Sequence, residues 1–536
     1  MFGLPDGGGG AFDKKRTAPA CIPGQERISG VYMAQPATIV DSGIHLAHLA
    51  EMRAAPGAKL TRGLDDETLR RFLERDTALA AAIERGHEMF VKLKREEPDL
   101  IALDEAEQMR VLQDGIVNFY AADAVNPYVA AAAQGSWIVT LKGAVLYDCG
   151  GYGMLGFGHV PQPILDAMNA PHVMANVMTP SVNQMRFIRR LRAELGHTRA
   201  DGNPFESYLC LNSGSEAVSV ASRLADINAK QMTDPGGRHA GKRICGLSLK
   251  GSFHGRTDRP ARYSDSTLKA YRKHLASFQD GDYLLTVEPN NLEQLEAIFA
   301  AADEDDVFIE AFFMEPVMGE GNPGQAITPA FYRRARELTE AHGSLFMVDS
   351  IQAGLRAHGV LSIVDYPGFQ DLPPPDMETY SKALNAGQFP LSVLAMAGRA
   401  ATMYRPGTYG NTMTCNPRAL DVAVAVLDQL TPEVRENIRA RGKQLLDGFA
   451  RLKEELGDAI TKVQGTGLLL SCELHPRYKC YGANSTEEYL RKQGLGVIHG
   501  GTNSLRYTPS FLMSGKGAEL IIELTRDALI NGPTQA

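Results

Sequence analysis

The sequence predicts a large α/β protein: a mostly parallel sheet with helices on both faces, a smaller α+β region towards the C-terminus and a helical extension at the N-terminus. Three observations carry this expectation. Through the middle of the chain, short apolar runs ("SYLCLN", "RICGLSL", "VFIEAFFMEPV", "SLFMVDS") alternate with helical segments such as "SEAVSVASRLADINAKQ" and "PAFYRRARELTEAHG". Runs without polar alternation are strands covered on both faces, and the helices between them are the crossovers that parallel pairing requires. After Pro417 the character changes to a long amphipathic helix followed by shorter strands. Finally, 536 residues with 44% hydrophobic content exceed one small core and predict two domains with additions.

Taken in order, the first ~60 residues have a Gly-rich head and several prolines, and are expected to be extended or partly disordered. From Asp65 the stretch "DDETLRRFLERDTALAAAIERGHEMFVKLKREEPDL" places Leu69, Phe72, Leu73, Leu79, Ile83 and Phe90 at helical intervals, with Asp65 or Asp66 as N-cap and Pro98 as the stop. "GSWIVTLKGAVLYDCGG" alternates like a hairpin turning at Lys142-Gly143. The α/β rhythm follows. Beyond Pro417 come the helix "PEVRENIRARGKQLLDGFARLKEEL", strands in "KVQGTGLLLSCEL" and "GLGVIHGG", and a closing helix. The expected division is an extension over 1–125, a first part of the small domain over 126–165, the large domain over 166–415 and the rest of the small domain over 416–536. The C-terminal strands are expected to pack with the Trp137 hairpin.

Charge and cysteine usage narrow the function classes. Asp and Glu number 63 against 55 Lys and Arg, an acidic balance that excludes a general nucleic-acid surface and points to small molecules or further copies of the chain as partners. No apolar run approaches the ~20 residues of a membrane span, and "MFGLPDGGGGAFDKKRT" lacks the apolar core of a secretory signal. The expectation is a soluble, cytoplasmic protein. Its seven cysteines, Cys21, Cys149, Cys210, Cys245, Cys415, Cys472 and Cys480, show no CxxC spacing, so neither a disulfide framework nor a metal site is expected.

Polar groups gather where strands end. In "LNSGSEAV" the strand "SYLCL" runs through Asn212, Ser213, Gly214 and Ser215 into a helix, whose free N–H groups and positive dipole end make a phosphate cradle. An ordinary capped helix, with Ser213 or Ser215 as the cap, reads equally well from this stretch alone. "GSFHGRT" supplies an aromatic ring, Phe253, and Arg256, a side chain suited to bidentate carboxylate binding. "FMVDSIQAG" delivers Asp349 at the carboxyl end of a strand, where open α/β sheets bind ligands. Alone, Asp349 reads as a turn cap. Lys382, in "ETYSKALNAGQFPLS", lies 33 residues further on, about one βαβ unit, so both side chains reach the same sheet edge. Amine, anion, phosphate donors and an aromatic shelf are together what pyridoxal phosphate needs: a Schiff-base partner, a counter-charge for its ring nitrogen, a phosphate site and a flat apolar support.

With "NSGSEAV", "FHGRT", "EPVMGEG", "VDSIQAG", "SKAL" and "NTMTCNP" in this order from Trp137 onward, the sequence resembles the class III, or ω-, aminotransferases of fold type I, which include ornithine, 4-aminobutyrate and lysine ε-aminotransferases. The resemblance implies pyridoxal 5'-phosphate as cofactor. It matches Lys382 to the Schiff-base lysine and Asp349 to the partner of the ring nitrogen. Ser213, Gly214 and Ser215 match the phosphate loop, Phe253 and Ile351 the two faces of the ring, and Gln352 the glutamine near the phenolic oxygen. Thr412 matches a threonine that reaches the phosphate of the neighbouring subunit, which implies a homodimer with shared active sites. The sequence also departs from the family pattern: Ser350 and Ala353 replace Glu and Thr, and Thr414 and Cys415 stand where glycines are usual.

The same resemblance bears on the substrate. In "EPVMGEGN", which holds Glu315 and Glu320, and "TNSLRYTPSF", which holds Arg506, it implies a switchable Glu320–Arg506 gate that admits an ω-amine when closed and exposes Arg506 to an α-carboxylate when open. Arg256 falls where such enzymes hold the distal carboxylate. One pocket accepts two substrates of different charge through such a movable ion pair; a static surface salt bridge is the plainer alternative. The expected activity is transfer of the terminal amino group of an ω-amino acid or diamine to a 2-oxo acid, with 2-oxoglutarate the expected acceptor. Amine–pyruvate transamination and racemisation are alternatives on the same scaffold, and a non-catalytic scaffold is a remote one.

Overall fold

The computed structural model describes residues 42–150, 152–174, 177–279 and 283–535. The Gly-rich head and Cys21 lie outside the described residues. Within the extension, two expectations are corrected. Ser42–Arg53 is a helix rather than extended chain, because His45, Leu49 and Met52 form a buried stripe against the helix Thr77–Glu96. The helix expected from Asp65 to Pro98 is two helices, Asp66–Leu73 and Thr77–Glu96. Asp65 caps the first; Asp76 caps the second, accepting from Ala78 N at 3.0 Å, and also accepts from Trp137 Nε1 at 2.7 Å. A second cap inside an apolar periodicity lets the chain turn while both segments keep burying their leucines.

The strands form three sheets. β1 (Ala130–Gln134), β2 (Trp137–Thr140) and β3 (Val145–Asp148) make an antiparallel meander. β4 (Ser207–Leu211), β5 (Arg243–Leu249), β6 (Leu284–Val287), β7 (Val307–Met314), β8 (Leu345–Asp349), β9 (Met377–Tyr380) and β10 (Ser392–Met396) make the large sheet. β11 (Ile460–Thr466), β12 (Leu469–Leu474), β13 (Leu495–Gly496), β14 (Ile498–Gly500) and β15 (Ser504–Tyr507) follow. The large sheet has the order β4-β10-β9-β8-β7-β5-β6, parallel except for β10, which runs against both neighbours. The C-terminal sheet has the order β11-β12-β15-β14. β13 instead joins the meander beside β3, the expected packing of C-terminal strands with the Trp137 hairpin.

The large sheet is buried on both faces, which explains its unbroken apolar strands. Along β7, Ala311 and Phe313 pack with Ala217, Val220, Ala221 and Leu224 of the helix Gly214–Thr233. Phe312 and Met314 face the other way, with Phe331 and Tyr332 of the helix Pro329–His342. Five of the stretches singled out in the sequence then emerge at one edge of this sheet, while Arg506 lies on β15 of the C-terminal sheet and Thr412 on the loop before Pro417. β4 leads into Ser213, β5 into Gly251–Thr257, β7 into Glu315–Gly321, β8 ends on Asp349, and β9 ends two residues before Lys382. β8 and β9 are adjacent and parallel, with Asp349 opposite Thr379, so topology alone brings the aspartate and the lysine together.

Candidate active site

Lys382 begins a short 3₁₀ turn, Lys382–Asn385, and has φ +46°; Ala386 at its far end has φ +51°. Non-glycine residues seldom adopt this region, and such backbone persists where the surroundings over-determine it. Here Ser381 Oγ and Asn385 Nδ2 both donate to Leu391 O, at 2.8 and 3.0 Å, locking the turn against the start of β10. The Lys382 Nζ donates to Gln352 Oε1 at 3.1 Å. Burial first, and then the Arg506 charge, bring its pKa down to about 8. An ordinary lysine is almost wholly protonated at neutral pH; this one supplies a useful fraction of neutral amine.

Asp349 is buried and fixed by three donors. His254 Nδ1 donates to its Oδ2 at 2.8 Å, and Ile351 N and Thr379 Oγ1 donate to Oδ1 at 3.1 and 3.2 Å. His254 is itself buried and anchored through its backbone N–H to Ser264 Oγ. Neither His254 nor Thr379 was assigned from the sequence. His254 lies inside "FHGRT" and Thr379 inside "ETYSK", but a buried polar side chain in an apolar strand shows its purpose only when the neighbouring strand is known.

The stretch read either as a phosphate cradle or as a capped helix is a capped helix start, and the cap leaves its first N–H groups open to an anion. Ser213 is the N-cap, accepting from Glu216 N at 3.2 Å, while Asn212 N donates to Glu216 Oε2 at 2.7 Å. The following N–H groups of Gly214 and Ser215 have no acceptor within the helix, as at every helix start. Close approach is built in: a Cβ on Gly214 would sit 2.8 Å from Ile351 Cδ1, and one on Gly255, at φ +118°, would overlap Ser215 Oγ. Phe253 is half-buried on the next loop, its N–H held by Glu315 Oε2 at 3.1 Å, while Glu315 Oε1 accepts from Gly319 N at 2.9 Å. Burial raises the Glu315 carboxyl to about 7. Glu315 therefore ties two loops of the site together.

These residues suit a flat, anionic, aldehyde-bearing cofactor. They offer a helix N-terminus for a phosphate, Phe253 and Ile351 for a ring, an oriented carboxylate and a partly neutral amine. The buried Gln352 Nε2 has no acceptor among the described residues, leaving a donor for an oxygen next to Lys382.

The two arginines differ from expectation in their partners. Arg506, on β15, is buried; its Nη1 donates to Gly319 O, and its guanidinium lies 5.4 Å from the Tyr152 ring centre. Glu320 does not pair with it. Its Oε1 is instead 3.9 Å from Arg256 Nη2. Gly501 N donates to Glu320 O at 2.6 Å, so the Glu320 backbone is held beside the β14–β15 turn while its side chain leans the other way. The Arg256 guanidinium lies 5.3 Å from the Phe253 ring and 5.9 Å from that of Phe119, a residue of the expected extension. Thr412 is exposed and makes no hydrogen bond among the described residues. Its loop is tied to the cradle through Glu216 Oε1, which accepts from Tyr409 Oη and from Asn411 Nδ2 at 2.6 Å. Cys415 has φ +55°, the conformation that favours glycine at this position.

Residues 119–529 match the family model described as aminotransferase class-III. Acetylornithine aminotransferase from Neisseria meningitidis serogroup B is 29% identical over 394 residues, covering 73% of this chain and 92% of that protein. Ornithine aminotransferase 2 from Staphylococcus aureus is 28% identical over 408 residues, covering 75% and 93%. Among solved structures, the ornithine aminotransferase from Toxoplasma gondii superposes with a TM-score of 0.67 at 22% identity, covering 82% of this chain and 98% of that one. A second structure of that enzyme is described as having partial occupancy of PLP at the active site.

Proposed function

Since the chain belongs to the class-III aminotransferase family, whose cofactor is pyridoxal 5'-phosphate, we propose that it moves the terminal amino group of an ω-amino acid or diamine to a 2-oxo acid, with 2-oxoglutarate as the acceptor. The observation that carries this reading is a pair of aromatic-backed guanidiniums, Arg256 and Arg506, on either side of the Gly319–Glu320 loop, with the Arg506 charge felt at Lys382. Two cations recognise a dicarboxylic acceptor. One carboxylate, Glu320, offsets a cation when an ω-amine occupies the same place.

When bound, the cofactor supplies an electron-withdrawing ring that makes a proton on the substrate carbon labile. Asp349, oriented by His254, Ile351 and Thr379, would face the ring nitrogen as a fixed negative group. Ser213, Gly214 and Ser215 would hold the phosphate, and Gln352 Nε2 would donate to the phenolic oxygen. Lys382 Nζ would accept the proton lost by the substrate carbon and pass it to the cofactor's aldehyde carbon, the reverse transfer serving the acceptor; its pKa of about 8 suits both directions near neutral pH. Arg506 would grip the α-carboxylate of the acceptor and Arg256 its distal carboxylate. The working unit on this reading is a homodimer in which Thr412 serves the other subunit. A second copy of the chain would be expected to cover the exposed apolar side chains Val117, Val173, Met174, Val182 and Met413.

Glu320→Gln tests the switch. Without the carboxylate, the KM for 2-oxoglutarate is expected to fall and the kcat/KM for an ω-amino acid donor to drop by about three- to tenfold, the scale of one partly exposed ion pair. Equal effects on donor and acceptor would show that Glu320 does not discriminate between them.

A further inference from the structure

A cavity of about 560 Å³ opens beside the site, and the proposed reaction leaves it without a role. One wall comes from the extension: Met109, Leu112 and Gln113, on or just after the helix Glu105–Leu112, line it, and all precede the residues matched to the family. Val497 and Ile498 form the opposite wall. Tyr152 joins the cavity to the reaction site. On one side its ring stacks on Tyr120, with centres 6.0 Å apart and planes at 15°; on the other lies the Arg506 guanidinium.

The lining carries charge, but that charge is already satisfied. Asp148 accepts from His159 Nε2 at 2.9 Å and from Gly150 N at 3.0 Å. Arg491 donates to Val497 O and Ala124 O, both at 3.0 Å, and to Glu487 Oε1. A charged ligand would have to displace one of these partners, whereas an uncharged one meets apolar side chains, tyrosine rings and the amides Gln113, Asn118 and Asn126. A cavity of this size lies in the range that buries drug-sized molecules, ~300–1,000 Å³, well beyond the side chain of ornithine.

We propose that this cavity is a binding site for the uncharged arylamide tail of an amino donor larger than ornithine, and that the extension builds it. The donor part rests on the aminotransferase reading above; the cavity itself does not. N-butylbenzamide carries such a tail and has no amine to react. It is expected to bind the cofactor-loaded enzyme in calorimetric titration, and Leu112→Trp and Met109→Trp, which fill the cavity from the extension side, are expected to raise its Kd at least about tenfold. Leu112 is exposed at 46%, so its replacement leaves the core intact, and thermal denaturation of both variants checks folding. In kinetics, both variants should lower kcat/KM for N-benzoyl-1,4-diaminobutane by a similar factor and leave unacylated 1,4-diaminobutane within about twofold. No binding to the wild type, an unchanged Kd in both folded variants, or an equal loss with both diamines would overturn the proposal. If neither diamine reacts, the donor reading fails while the benzamide titration still decides the cavity.

Discussion

Lys382→Ala is expected to lower turnover by about 10³-fold or more, since in the proposed mechanism it removes both the group that holds the cofactor covalently and the general base and acid. The fold should survive. Lysine already carries a Cβ at φ +46°, so alanine adds no backbone strain, and the turn remains locked by Ser381 and Asn385. The purified variant should lose the visible absorbance of a lysine-bound cofactor while keeping a thermal transition near that of the wild type. A small exogenous amine should restore part of the rate, because what is missing is one amine at one place. Retention of full activity would sink the assignment.

Asp349→Asn should lower kcat by about 10²- to 10³-fold, the range seen when one oriented electrostatic group is removed from a reaction site. Geometry sharpens the prediction. Three donors converge on the Asp349 carboxylate, whereas asparagine has only one acceptor oxygen and turns an NH₂ towards donors on the other side. With the amide oxygen kept on the Ile351–Thr379 side, His254 loses its acceptor, at a cost of about 1–3 kcal/mol; turned over, Ile351 and Thr379 both lose theirs. The variant is therefore expected to bind the cofactor more weakly as well as to turn over more slowly. An unchanged rate with an intact fold would remove Asp349 from the mechanism.

The broad plan was legible in the sequence for a physical reason. Strands covered on both faces must be apolar throughout, so "VFIEAFFMEPV" and "SLFMVDS" stand out, and in a parallel sheet their carboxyl ends share one edge. That logic linked Asp349 to Lys382, and β8 and β9 do pair with Asp349 opposite Thr379. What escaped the sequence depends on neighbours. The helix Ser42–Arg53 has a buried stripe of only three residues, and the Asp76 cap lies inside a continuous apolar periodicity. The role of His254 needs the ninety-five-residue separation from Asp349 to be closed by the fold. Whether Glu320 leans to Arg256 or Arg506 is a choice of side-chain direction within one loop, and spacing carries no information about it. Phe119 over Arg256 and the cavity behind Tyr152 follow from how the extension folds back, which no motif encodes.

In the proposed mechanism one site performs two half-reactions, with Lys382 moving the proton in each. The most direct measurement gives the cofactor-loaded enzyme an ω-amino donor alone and follows product and cofactor absorbance together. The expected result is one equivalent of carbonyl product per site, a single shift in absorbance and then arrest, with 2-oxoglutarate restoring both the original spectrum and turnover. Continued turnover without a 2-oxo acid, or no spectral change with any ω-amino donor, would contradict it.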